Sequence, residues 1–298
     1  MLSRIYVLIY RMSFVLKRSS TEGLLRRWPL ATRGLDRLKR IVRRHLTGRS
    51  QAWVRIESGL SKGIWIQIWL PAEAGLWRGE HEPEVQKAIL AAVEPGAVVY
   101  DIGASMGILA LGAARLVGDS GRVVAFDGDP ENVARLRTNG VRNGLQGHFQ
   151  VVHAAVWSRS AEDGIPFRRG EVFKSWGGVE ADGKRPVLAD GEIINVRAIT
   201  LDDFVAMGER PPKLVKIDVE GGEYEVLRGG ARLFATQRPR IIAEVHDQQA
   251  AEHITVWLDQ NRYGAQWNVP KEKFPRHLFA WPIEQDGEAW MRGLRHAA

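Results

Sequence analysis

Residues 82–298 predict an α/β fold with a doubly wound, mainly parallel sheet, and three observations carry that prediction. From Glu82 onward short apolar runs alternate with stretches of helical periodicity. Several of those runs end in glycine or an acid, at Gly103, Asp127 and Asp218, which is the carboxyl edge where open sheets of this kind bind ligands. The chain is also long enough, at 298 residues with 45% hydrophobic, to bury a sizeable core.

In chain order, residues 1–50 read as a basic helical arm, with Leu35, Leu38, Ile41, Val42 and His45 at helical spacing. Residues 51–80 read as a β-hairpin: Trp53–Glu57 leads through Gly59 and Gly63 into Ile64–Leu70, which Pro71 ends. Both faces of that second run are largely apolar, so it is expected to be covered on both sides. Residues 81–298 form the main domain. Pro83 opens a helix to about Val93, Ala97–Tyr100 is a buried strand, and a glycine turn leads into the helix Ile108–Val117. Arg122–Phe126 and Phe149–His153 are the next strands, with the helix from Pro130 to about Asn139 between them. Residues 158–195 interrupt the rhythm and read as an insertion with a short hairpin. The alternation then resumes with strand Lys213–Asp218, helix Gly222–Leu233, strand Arg240–Val245 and helix Ala250–Gln260. Apolar pieces at Gln266–Val269 and His277–Trp281 suggest a closing antiparallel pair.

Charge is unevenly distributed. Residues 1–50 hold 13 Lys/Arg against Glu22 and Asp36, a net +11, whereas the other 248 residues carry −4. The absence of cysteine excludes disulfides, thiolate metal sites and cysteine nucleophiles, and fits a reducing, cytoplasmic setting. A basic arm on an acidic body points to an anionic surface. Arg4, Arg11 and Arg18 fall on one helical stripe, and Ile5, Leu8, Ile9, Met12, Val15 and Leu16 on another arc. That arrangement suits peripheral contact with a membrane, at its inner face, and nucleic acid is not expected as a partner. The same arc could equally dock on the protein itself. No run approaches the roughly 20 apolar residues of a membrane span.

The strongest chemical signal is Val99-Tyr-Asp-Ile-Gly-Ala-Ser-Met-Gly107, a strand running into a glycine turn and a helix. Gly103 and Gly107 allow close backbone approach, Ala104 and Ser105 lie between them, and the following helix start offers free N–H donors. The turn lacks the G-x-G-x-x-G spacing of a dinucleotide site. An acid, Asp101, precedes it, and a carboxylate there suits the amino group of a methionine moiety better than a pyrophosphate. Asp127, 24 positions after Gly103, stands where such sheets hold a ribose. Lys216-Ile-Asp-Val-Glu-Gly221 and Ala243-Glu-Val-His246 end two further strands. Asp218, Glu220, Glu244 and His246 are therefore expected to converge, with Lys216 as an internal cation.

At these motifs the sequence resembles the FkbM family of methyltransferases, with the Rossmann-like fold of enzymes that use S-adenosylmethionine. The likeness runs from about Gly79 to Trp281. It includes Gly79-Glu-His-Glu-Pro83, Tyr100-Asp-Ile-Gly-Ala104, Val124-Ala-Phe-Asp127, Asn143-Gly-Leu145, Ala154-Ala-Val-Trp157, Thr200-Leu-Asp-Asp203, Lys216–Gly221 and Ala243–His246. Ser105 stands where the family commonly has Asn, and Asp127-Gly128 replaces its usual Glu-Pro. The resemblance implies O-methylation of a sugar, glycan or secondary-metabolite hydroxyl. His246 is the leading candidate for the base because an ordinary imidazole titrates near ~6.5. Asp218 could orient it or act itself. A metal route stays open, in which Asp218, Glu220 and Glu244 hold Mg²⁺. A nicotinamide-dependent oxidoreductase and a non-catalytic, membrane-associated nucleoside-binding protein are the alternatives.

Overall fold

The computed structural model describes residues 2–21, 29–45, 50–170, 177–180, 191–269 and 273–296. Two helices come first, α1 (Leu2–Thr21) and α2 (Pro29–Arg44), then the antiparallel hairpin of β1 (Ser50–Arg55) and β2 (Trp65–Leu70). The alternating region follows with α3 (Pro83–Ala92), β3 (Val98–Ile102), α4 (Ile108–Val117), β4 (Arg122–Asp127), α5 (Pro130–Arg142) and β5 (Phe149–His153). Four strands build a second sheet: β6 (Ala155–Val156), β7 (Ala161–Arg168), β8 (Gly178–Val179) and β9 (Ile193–Ile199). The chain then runs through α6 (Leu201–Ala206), β10 (Leu214–Ile217), α7 (Glu223–Gly229), α8 (Ala231–Thr236), β11 (Arg240–Val245) and α9 (Gln248–Gln260). It closes with β12 (Tyr263–Trp267), β13 (Arg276–Pro282) and α10 (Gly287–His296).

The central sheet has the order β12-β13-β11-β10-β3-β4-β5. Its five strands from β11 to β5 are parallel, and β12 and β13 form the expected antiparallel pair at one edge. Strand order reverses between β3 and β10, which opens a crevice at their carboxyl ends. Helices cover both faces. Tyr100, Phe126, Val215 and Ile241 pack with α6 to α9 on one side, while Val99, Val123 and Ile242 pack with α3, α4 and α10 on the other. In the insertion, β7 pairs antiparallel with both β8 and β9, and residues 171–176 and 181–190 lie outside the described residues.

The predicted helix Gly222–Leu233 is two helices. A Cβ on Gly229 would fall 2.1 Å from the backbone oxygen of Trp157, so the chain passes too close for a side chain and bends at Gly229-Gly230. Sequence periodicity does not register that approach.

The hairpin joins the same hydrophobic core as the sheet. Ile64, Ile66, Ile68 and Leu70 point inward, and the opposite side of β2 is covered by cations of α5: the Arg135 guanidinium lies 4.1 Å from the Trp69 ring and Arg142 lies 5.3 Å from that of Trp65. Along the outer edge of β2 every second amide is met by a side chain. Trp65 donates to Asn143 Oδ1 at 2.8 Å, Gln67 to Asn139 Oδ1 at 2.9 Å and Trp69 to Glu73 Oε2 at 2.7 Å. Helix α1 docks through Tyr6, Val7, Ile9 and Ser13, all buried, and it leaves Ile5, Leu8, Met12 and Val15 outside. The arm thus docks on the protein itself, with Ile9 on the protein side.

Two glycines make opposite forecasts. Gly229→Ala should destabilise by about 1–3 kcal/mol, because the neighbour it meets is rigid backbone. Gly34→Ala, in exposed α2 with nothing within 4 Å, should stabilise by up to about 1 kcal/mol. Urea denaturation of both variants checks the pair, and equal effects would contradict the packing described.

Candidate active site

Strand register builds the site. Lys216 on β10 and Asp101 on β3 are direct partners across the parallel pair, on the face covered by α3 and the hairpin. One pleat further toward the carboxyl edge, Glu244 on β11 is partnered with His277 on β13. Lys216 is buried, with Nζ 3.0 Å from Asp218 Oδ2 and 3.5 Å from Asp101 Oδ1. Burial works against its charge, but Asp218, Asp101 and Glu82 outweigh that and raise its pKa. Asp101 is buried too; desolvation raises its carboxyl despite Lys216, and its Oδ1 makes no hydrogen bond.

Beyond the strand ends the acids cluster around one imidazole. His246 Nδ1 lies 2.8 Å from Glu223 Oε1, and Nε2 lies 3.4 Å from Glu220 and 3.8 Å from Asp218. Desolvation would lower its pKa, but the bond to Glu223 and the charges of Glu223, Asp218 and Glu220 push it up to about 10. The imidazole therefore keeps its proton at neutral pH, which suits an internal cation rather than the base that an ordinary histidine would provide. Burial first, then Asp218 and Glu223 against His246, raise Glu220 to about 7. Burial with Asp218 and Glu82 raises Glu244 to about 8.

The glycine turn is preorganised from within. Gly103 and Ala104 both donate to Phe126 O, at 3.0 and 2.9 Å, and Ser105 N–H donates to Asp127 Oδ2 at 2.8 Å. Those three N–H groups thus have partners inside the protein. The two glycines answer internal contacts: a Cβ at Gly103 would lie 1.7 Å from Asp218 O, and one at Gly107 would lie 2.7 Å from Leu136 Cδ2. Asp127 also accepts from Asp129 N–H at 2.8 Å and from Asn132, and burial raises its carboxyl to about 7. It lines a smaller cavity with Trp157 and Phe167, and Gly103 and Asp218 border both spaces.

The main cleft has a volume of about 950 Å³. Asp101, Gly103, Ala104, Ser105, Lys216, Asp218, Glu220, Glu244 and His246 all line it, whereas Asp127 and Gly107 do not. It also takes in Tyr10, Glu73, Arg78, His81 and Glu82, none of which were singled out as site residues. Glu82 belongs to the quoted Gly79–Pro83 motif, which was the available signal. Burial would raise its carboxyl, but the hydrogen bond from His81 and the charges of Lys216 and His277 bring it down to about 2. Glu82, Ser105 and Glu220 all have left-handed backbones, with φ of 45°, 52° and 55°. Such strain in non-glycine residues collects at functional sites.

Among the described residues two sets could hold a metal ion, each with ligand atoms within 4.8 Å of one another: Glu82, Glu244 and His277, and Asp218, Glu244 and His246. Glu220 is in neither. The carboxylates around His246 favour its protonated form, and a metal ion bound there would have to displace that proton.

The Methyltransferase FkbM domain matches residues 101–265. A hexuronic acid methyltransferase, AglP, of Haloferax volcanii is 25% identical over 224 residues, covering 71% of this chain and 87% of that protein. The 31-O-demethyl-FK506 methyltransferase FkbM of Streptomyces tacrolimicus is 31% identical over 182 residues, or 53% of this chain and 69% of that one. The crystal structure of a methyltransferase FkbM from Methylobacillus flagellatus superposes with a TM-score of 0.44 at 15% identity, over 66% of this chain and 54% of its own. With more than half of its length matched by one family of methyltransferases, the nicotinamide alternative loses its support, and the chain belongs to the FkbM methyltransferase family.

Proposed function

We propose that the protein is an O-methyltransferase that takes its methyl group from S-adenosylmethionine and places it on a hydroxyl of a sugar, glycan or secondary-metabolite acceptor. One observation carries the reading: the turn Asp101–Ser105 and the acids Asp218, Glu220 and Glu244 line a single cleft. Two relatives support an oxygen-rich acceptor, being named for a hexuronic acid and for 31-O-demethyl-FK506. The density of carboxylates in the cleft favours a neutral hydroxyl over an anionic oxygen at the reacting position.

The residues present fit the donor. Asp101 offers a buried carboxylate, paired with Lys216, to the amino group, and Asp127 lines the adjoining smaller cavity, where it would face the ribose. When bound, S-adenosylmethionine supplies a methyl group activated by a sulfonium. The protein's own task is to remove the hydroxyl proton as the new C–O bond forms. Glu244 is suited to that, because a carboxylate whose pKa has been raised to about 8 is a stronger base than an ordinary one. Asp218, held by Lys216, can accept a hydrogen bond from the acceptor and fix it in line. His246, clamped by Glu223, acts as a positioning cation that allows Asp218 and Glu220 to stand close together.

Glu244→Gln should lower kcat by about 10²–10⁴-fold with nearly unchanged donor affinity. The base must be ionised, so wild-type kcat should rise with pH through about 8, and the variant should lose that limb. Stability runs the opposite way. A carboxyl raised in the folded state contributes stability below its unfolded pKa and loses it as pH rises through about 8, so Tm of the wild type should fall over that window and fall less in the variant. A pH profile that Glu244→Gln leaves unaltered would exclude Glu244 as base. Activity abolished by EDTA and restored by Mg²⁺ would make it a metal ligand instead.

Asp127→Ala should weaken binding of S-adenosylmethionine by about 1.5–3 kcal/mol, as for a hydrogen bond to a charged group. Isothermal titration calorimetry reads this directly, and unchanged affinity would remove Asp127 from the ribose.

A further inference from the structure

The outer side of α1 is exposed and largely apolar. Tyr6, Val7, Ile9 and Ser13 already occupy the side facing the protein. On the far side Ile5, Leu8, Met12 and Val15 form a continuous apolar ridge, with Leu8 58% and Val15 56% exposed. An amphipathic helix docked by one face normally turns a polar face to water; here the second face is apolar as well. Beside it α2 exposes Leu38 and Ile41 among Arg37, Arg40 and Arg43, all exposed. The ridge is bordered by Arg4 and Arg11.

Arg11 connects the ridge to a second feature. With Arg55, Lys62 and Arg115 it surrounds a surface cavity of about 720 Å³, in which Glu57, paired with Arg11 at 3.7 Å, is the one acid among the described lining residues. Four cations facing one carboxylate at an open cavity form a site for an anion. An apolar ridge for acyl chains, a cationic recess beside it and a net +11 over residues 1–50 are complementary to one kind of surface. No helix among the described residues is long and apolar enough to cross a membrane, so the match is to lying on a bilayer rather than spanning it.

We propose that α1 docks the protein on an anionic phospholipid bilayer, with Ile5, Leu8, Met12 and Val15 inserted among the acyl chains and the recess of Arg11, Arg55, Lys62 and Arg115 holding a phosphate headgroup. The proposal is independent of the chemistry assigned to the cleft. Tyr10, on the same helix, lines that cleft, so docking fixes its orientation relative to the lipid. Nucleic acid would satisfy the arginines but gains nothing from the ridge, and a second copy would cover the ridge but face the same positive charge.

Flotation of the full-length protein with phosphatidylcholine vesicles, with and without phosphatidylglycerol, tests it. Binding is expected only with phosphatidylglycerol and should weaken as salt rises. Leu8→Asp combined with Met12→Asp should lower partitioning more than about tenfold, with circular dichroism and Tm unchanged because both side chains are exposed. Lys62→Glu with Arg115→Glu should weaken binding while leaving methyl transfer to a soluble acceptor, or donor binding by calorimetry, as in the wild type. Failure of the wild type to float at low salt overturns the proposal. So does wild-type flotation by the Leu8/Met12 variant, retention of nucleic acid but not vesicles, or a dimer without lipid that the same variant dissolves. Protection of the recess by free inorganic phosphate without vesicle binding would assign it to a soluble anion and overturn the headgroup role.

Discussion

A buried ammonium group organises the centre of this protein. Lys216 is enclosed on β10, where an unpaired charge would be strongly unfavourable, and it is tolerated because the parallel register sets Asp101 directly beside it and the end of the strand delivers Asp218 within 3.0 Å. The dependence is mutual. Without the cation, Asp101 and Asp218 would be uncompensated carboxylates in a crevice that also holds Glu82, Glu220 and Glu244. The close crossing of Gly103 over the Asp218 carbonyl joins the two loops at the same point, so the turn after β3 and the acids after β10 are parts of one rigid arrangement.

A second cation on a different element repeats the solution. His246 sits among Glu223, Glu220 and Asp218 much as Lys216 sits among its acids, and between the two Glu244 is left as a carboxyl with a raised pKa and access to the cleft. Departures from the family's usual residues also find reasons in packing. Gly128, in place of proline, leaves room for the ring of Phe167, since a Cβ there would come within 2.5 Å of Phe167 Cε2. The smaller cavity beside Asp127 is walled by that ring.

Periodicity made the parallel strands and their order along the chain legible, down to the bounds of α4, β5 and β11, because each is a short apolar run with a clear stop. It also brought Asp218, Glu220, Glu244 and His246 to one edge, since each lies at or just beyond the carboxyl end of a strand. Glu82 and His277 were not legible. Glu82 comes from a left-handed residue before α3 and His277 from the antiparallel strand β13, and only tertiary pairing brings both beside Glu244. The charge of His246 was likewise hidden, because it depends on Glu223, a helix residue 23 positions earlier that the strand-end pattern does not select. The two faces of α1 could not be assigned from an arc that is apolar almost throughout.

The side chains along the outer edge of β2 have a consequence for how the molecule behaves among its own copies. Ile64–Leu70 is an uncharged run dominated by isoleucine and tryptophan, the composition that propagates cross-β stacking when its backbone is open. Asn143, Asn139 and Glu73 meet the amides of Trp65, Gln67 and Trp69 with oxygen acceptors, and Arg135 donates to Gln67 O at 3.0 Å, so an incoming strand finds those positions already taken. Helix α5 is in this sense a gatekeeper: the residues that fasten the hairpin to the sheet domain also keep a strongly aggregating segment from acting as a template.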